Sequence, residues 1–69
     1  MQISYKKLWK LLIDKDMKKK DLAVCAGISN TSIAKLAKNE NVNTDILLKI
    51  CTVLSCDIAD IMEVIEDGE

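Results

Sequence analysis

Residues 18–39 read KKKDLAVCAGISNTSIAKLAKN, and the fold turns on how this stretch is interpreted. Leu22, Ala23 and Ala26 share one face of a short helix, the i, i+1, i+4 crowding of an element buried on one side. Gly27 follows, free to take positive φ, then the apolar Ile28, then Ser29, an N-cap whose hydroxyl can accept from the amide of Ser32. A second helix begins at once, with Ile33 and Leu36 three apart on its buried side. Asn30, Thr31, Ala34 and Lys35 must then point the other way, leaving a small polar face with one cation just after a tight turn. Two short helices so arranged have the geometry of a helix-turn-helix, whose second helix can enter the DNA major groove.

The surrounding composition suits packed helices. The chain has 69 residues, 49% of them apolar, enough for one small core, with Trp9 and Tyr5 the only aromatic residues. Proline is absent and glycine occurs only at Gly27 and Gly68, so hairpin chemistry is nearly missing. Net charge is −1, but it is unevenly spread. Residues 1–38 carry nine lysines against Asp14, Asp16 and Asp21, whereas residues 39–69 carry Lys49 against eight carboxylates. This asymmetry fits one side facing a polyanion and another held away from it; lysines that merely decorate solvated helix faces are the competing reading.

Cys25, Cys51 and Cys56 form no C-x-x-C, and the chain has no histidine, so the sequence predicts no metal site, no cofactor and three small buried hydrophobes in a reducing compartment. No Gly-rich phosphate loop and no pairing of cysteine with a base is present, which argues against an enzyme. Without a signal-peptide pattern or a long apolar run, the expectation is a soluble, cytoplasmic protein with no membrane association and no small-molecule ligand.

In chain order, residues 1–3 read as a lead-in and Ser4 as the N-cap of a first helix. Tyr5, Leu8, Trp9 and Leu12 give its stripe, widened by Leu11 and Ile13, and Asp16 takes the left-handed position that closes it. Met17 is a loop side chain turned inward. The second helix starts on Lys18, Lys19 and Lys20, which oppose its macrodipole and make a seat for a phosphate. After the third helix, Asn39-Glu40-Asn41-Val42 reads as a loop anchored by Val42, and Asn43 caps a fourth helix with Leu47, Ile50, Cys51 and Leu54 on its stripe. Asp57 and Asp60 resemble a capping box for a fifth, marked by Ile58, Ile61, Met62 and Ile65, with Val64 off the stripe. The expected fold is all-α: one domain over residues 1–69, with helices near 4–15, 18–26, 30–38, 44–54 and 58–65, the second and third forming the helix-turn-helix. The tail 66–69 is expected to fray.

The segment DLAVCAGISNTSIAKLAKN, with NVNTDILLKICTVLSCDIADIME behind it, resembles the Cro and lambda-repressor type helix-turn-helix domains, over roughly residues 4–65. The resemblance implies a DNA-binding transcriptional regulator of bacterial or phage type. On these positions it implies that Asn30, Thr31 and Lys35 face base edges, that Ala34 can touch a thymine methyl, and that Lys19 meets a phosphate. Lys38, Asn39 and Asn41 join the phosphate-contacting set, as do Lys18, Lys20 and Ser32. Two departures stand out. Lys18 and Lys19 occupy places where such domains often have Ser or Thr followed by Gln, and no arginine is present to read guanine bidentately. Modest discrimination per monomer is therefore expected, and a homodimer on double-stranded DNA, joined through the fifth helix, would compensate. The alternative is a protein-interaction module, antitoxin-like, that keeps the fold without its own operator.

Overall fold

The structure is a computed structural model that describes residues 1–66, so residues 67–69 of the expected tail lie outside it. The elements run β1 (Gln2–Ser4), α1 (Lys6–Asp14), α2 (Lys19–Ala26), α3 (Asn30–Ala37), α4 (Thr44–Leu54), a 3₁₀ turn (Ile58–Asp60) and β2 (Glu63–Ile65). Tyr5, Leu8, Leu12, Leu22, Ala23, Ile33, Leu36, Leu47, Ile50, Leu54 and Ile61 make one core, drawing on every helix. Met17 and Val42 pack against its edge as expected, and Trp9 and Leu11 are half-buried there, but Ile13 is 76% exposed and does not widen the stripe of α1.

Each of the four helices is closed by a residue in the left-handed region: Asp16 (φ 59°), Gly27 (φ 67°), Asn39 (φ 58°) and Ser55 (φ 53°). In each case the next amide turns back onto the last helical turn, as Met17 N–H does to Leu12 (2.9 Å), Ile28 to Ala23 (3.0 Å), Glu40 to Lys35 (2.9 Å) and Cys56 to Cys51 (3.1 Å). These bonds occupy carbonyls that the helices would otherwise leave unpaired.

The chain ends depart from the all-α, five-helix expectation. The capping signal at 57–60 is real: the Asp57 carboxylate accepts from Ile58 N–H (2.7 Å) and Asp60 accepts from Asp57 N–H (3.0 Å). It starts only the 3₁₀ turn, however, and Glu63–Ile65 then runs as a strand antiparallel to β1, with Gln2 opposite Ile65, Ile3 opposite Val64 and Ser4 opposite Glu63. One fully buried residue, Ile61, anchors the segment. Beyond it, β-branched Val64 and Ile65 favour a pleated strand, and pairing with the lead-in satisfies backbone groups at both chain ends. Ser4 is accordingly in β1, and Tyr5 is the N-cap position of α1; the Ser4 hydroxyl still accepts from Lys6 N–H at 3.3 Å.

Candidate nucleic-acid interface

The turn between α2 and α3 forms for local reasons. Gly27 N–H bonds the Val24 carbonyl (3.3 Å) while Ile28 N–H reaches Ala23, so the chain reverses in a left-handed step. A Cβ on Gly27 would have nothing within 4 Å, so it is the positive φ, and not lack of space, that calls for glycine. Ser29 then caps α3, its Oγ accepting Ser32 N–H at 3.2 Å. Leu22 and Ala23 on α2, with Ile33 and Leu36 on α3, hold both helices against the core.

With Ile33 and Leu36 buried, Asn30, Thr31, Ala34 and Lys35 come together on one exposed face of α3. Ser32 does not join them. It is only 9% exposed and its hydroxyl shares a hydrogen bond with Ser29 Oγ (3.2 Å), so it sits in the turn, at the edge of an open groove that it lines with Thr31 and Lys35. Lys38 is exposed at the C-cap of α3, and Asn41 is exposed in the following loop.

At the start of α2, Lys18 is the N-cap residue, with extended backbone and no side-chain cap. Asp21 returns one bond, accepting Lys18 N–H at 3.0 Å, but a lysine has no acceptor to offer the amides of the first turn. Lys18, Lys19 and Lys20 are all exposed there, and Lys19 is additionally held: its Nζ sits 4.6 Å from the centre of the Trp9 ring. A cation over an aromatic face keeps its charge while its position is restricted. Trp9 therefore belongs to the site indirectly, which its place on an apolar stripe concealed.

Asn39 is exposed and has a structural role beside the phosphate contact that the resemblance implies. Its backbone closes α3, and its Oδ1 accepts the Tyr5 N–H at 3.1 Å, while Tyr5 Oη donates to the Glu40 carbonyl at 3.3 Å. These bonds fasten the loop after α3 to the start of α1. Two grooves then flank Lys35 and Asn41, one completed by Met1, Gln2 and Ile3 of the N-terminus, the other by Thr31, Asn43 and Ile46. Gln2 and Asn43 are thus neighbours of the exposed α3 face that sequence reasoning missed. Asn43 does occupy the N-cap position of α4 but makes no side-chain cap, and it is exposed along the second groove. Gln2 arrives through the pairing of β1 with β2, for which the sequence carries no local signal.

The chain belongs to the Cro/C1-type helix-turn-helix DNA-binding domain family, whose model matches residues 7–67. It is similar to the transcriptional regulator VanUg, known from a crystal structure (Form II): the two are 53% identical, the match covers 96% of this chain and 88% of that one, and the TM-score is 0.91. A search of curated proteins found no match. Among the described residues no helix is long and apolar enough to cross a membrane.

Proposed function

We propose that this protein is a transcriptional repressor that binds duplex DNA sequence-specifically, with α3 in the major groove. The observation that carries the reading is the exposed Asn30, Thr31, Ala34 and Lys35 face, with the Trp9-held Lys19 at the start of the neighbouring helix. Asn30 suits the N6 and N7 edge of adenine, Lys35 suits guanine O6 and N7, and Ala34 suits a thymine methyl. Lys18, Lys19, Lys20, Lys38 and Asn41 supply phosphate contacts that set register, and the amides opening α2 favour an anion. The acidic second half of the chain avoids phosphate repulsion by facing away. The protein acts by binding and occupying an operator, without catalysis.

A lone face with no arginine discriminates weakly, so the working species is a homodimer on two half-sites about 34 Å apart. The residues proposed for the dimer contact, Val64 and Ile65, belong to β2: Val64 is 64% exposed, and Ile65 is half-buried. A partner copy would therefore meet a strand and not a helix.

Selection of binding sites from random duplex DNA tests the proposal, and recovery of a palindrome is the expected result. Affinity for the recovered duplex should then fall steeply as salt rises, through counterion release at the lysine contacts. No enrichment, or an affinity indifferent to salt, would overturn the DNA-binding role and leave the protein-interaction module as the reading.

A further inference from the structure

We propose that Cys51 and Cys56 are a dithiol that closes to an intramolecular disulfide by exchange with a small anionic disulfide of the oxidised-glutathione class. The pair is set by the end of α4. Ser55 takes the left-handed conformation, and Cys56 N–H donates to the Cys51 carbonyl at 3.1 Å. This reversal lays the residue just beyond a helix over its last turn, where side chains in the positions of Cys51 and Cys56 regularly touch. Both cysteines are half-buried at the edge of the core and neither is oxidised. Burial, and then the charge and hydrogen bonding of Cys51, push the Cys56 thiol above its ordinary value, with Asp60 acting in the same direction and Lys15 against it. The backbone hydrogen bond that closes this turn places the two residues where the hydrophobic contact of a helix C-terminus falls, which is the geometry the pairing rests on.

An open groove between α1 and the end of α4 reaches Cys56, and its rim carries Lys7, Lys10 and Lys15 against Asp14 and Asp60. Lys7 Nζ donates to the Ala59 carbonyl at 3.2 Å, which holds one cation at the rim. The excess of cations favours an anionic reagent over a neutral one. In the first step the Cys56 sulfur, its proton lost to solvent, attacks the reagent, forming a mixed disulfide and expelling one thiolate. The Cys51 sulfur, its proton also lost to solvent, then attacks the Cys56 sulfur, the second reagent thiolate leaves, and the two leaving groups take up the two protons. Two protein thiols have been oxidised and one reagent disulfide reduced to two thiols.

Cys25 is exposed on α2, so the test uses the full chain carrying Cys25→Ser. Equilibrated with oxidised and reduced glutathione, this protein should lose two hydrogens in mass and yield a linked Cys51–Cys56 peptide. The native pair should show an effective thiol concentration at least about tenfold above that of the same chain in urea, because the fold holds the sulfurs together. Adding Cys51→Ser should stop the reaction at a mixed disulfide on Cys56. Persistent glutathione adducts in the Cys25→Ser protein, disulfide-linked dimers, or equal effective concentrations in native buffer and urea would overturn the proposal. A Cys51→Ser chain that takes no adduct at Cys56 would overturn entry through the groove.

Discussion

Asn39 Oδ1 accepts the backbone N–H of Tyr5 at 3.1 Å, across 34 positions of sequence, so the residue that closes α3 also holds the N-cap amide of α1. Asn39→Gly keeps the positive φ of 58° but removes the acceptor. The expected cost is about 1–3 kcal/mol, that of a part-buried donor left unpaired. For a domain of this size each kcal/mol lowers the melting temperature by about 4–8 °C, measurable by circular dichroism. Below melting, the salt slope of DNA binding should stay unchanged, because the oxygen is committed to Tyr5. A flatter slope would place Asn39 in the phosphate-contacting set.

Tyr5 is 1% exposed, and burial pushes its phenol above the ordinary value of 10.0. The sign follows from proton counting. Above pH 10 the unfolded tyrosine gives up its proton while the folded one retains it, so the native state binds more protons and stability falls as pH rises. Tyr5→Phe should lose the bond to the Glu40 carbonyl at neutral pH, yet show a shallower alkaline decline than the parent. Urea midpoints measured from pH 8 to 11 would separate the two effects, and parallel declines would refute the assignment.

Ser55 and Gly27 test helix closure by backbone alone. Ser55 sits at φ 53° with a side chain that disfavours it, at about 1–2 kcal/mol. Ser55→Gly relieves this but loosens the unfolded chain by about 0.5–1 kcal/mol, so a net gain of up to about 1 kcal/mol is expected. Gly27→Ala should destabilise by about 1 kcal/mol, even though its Cβ meets nothing within 4 Å. Thermal melts of the two variants should move in opposite directions.

The interior of this fold was legible because its signals are local. Ser29 capping Ser32, Gly27 in its left-handed turn, and the buried spacing of Ile33 and Leu36 all act within one or two turns of helix. The same holds for the exposed face of Asn30, Thr31, Ala34 and Lys35, which follows from that spacing. What escaped was non-local or doubly used. Ile58, Ile61, Met62 and Ile65 keep a helical period, yet the segment straightens where Glu63–Ile65 pairs with Gln2–Ser4 at the far end of the sequence. Asn39 and Ser32 have side chains suited to phosphate, and their oxygens also serve Tyr5 and Ser29, which no local pattern announces. Trp9 and Lys19 lie on different helices, so no periodicity joins them.

Lys19 and Trp9 give a prediction about affinity without specificity. Lys19→Ala should weaken binding to all duplexes alike and reduce the salt slope by about 0.9, one phosphate contact's worth. Trp9→Leu leaves the ammonium in place but removes the ring 4.6 Å beneath it. Its salt slope should therefore match the parent, with a smaller loss of affinity from the freed side chain. Fluorescence anisotropy over a salt series, on the selected duplex and a scrambled one, distinguishes these outcomes. A change of sequence preference in Lys19→Ala would refute the phosphate role.

Lys35 is the cation on the exposed face of α3, and it lines the grooves on either side. If it reads a guanine edge, Lys35→Ala should cost about 1–3 kcal/mol on the selected site and much less on duplexes altered at that base pair. The salt slope should change little, since a base contact displaces few counterions from the backbone. Lys35→Arg offers the opposite test, because a planar guanidinium binds O6 and N7 together and should sharpen preference for guanine at the same position. Binding to a panel of duplexes varied one base pair at a time reads both effects. A uniform loss for Lys35→Ala across the panel would make Lys35 a backbone contact and shift base reading to Asn30 and Thr31.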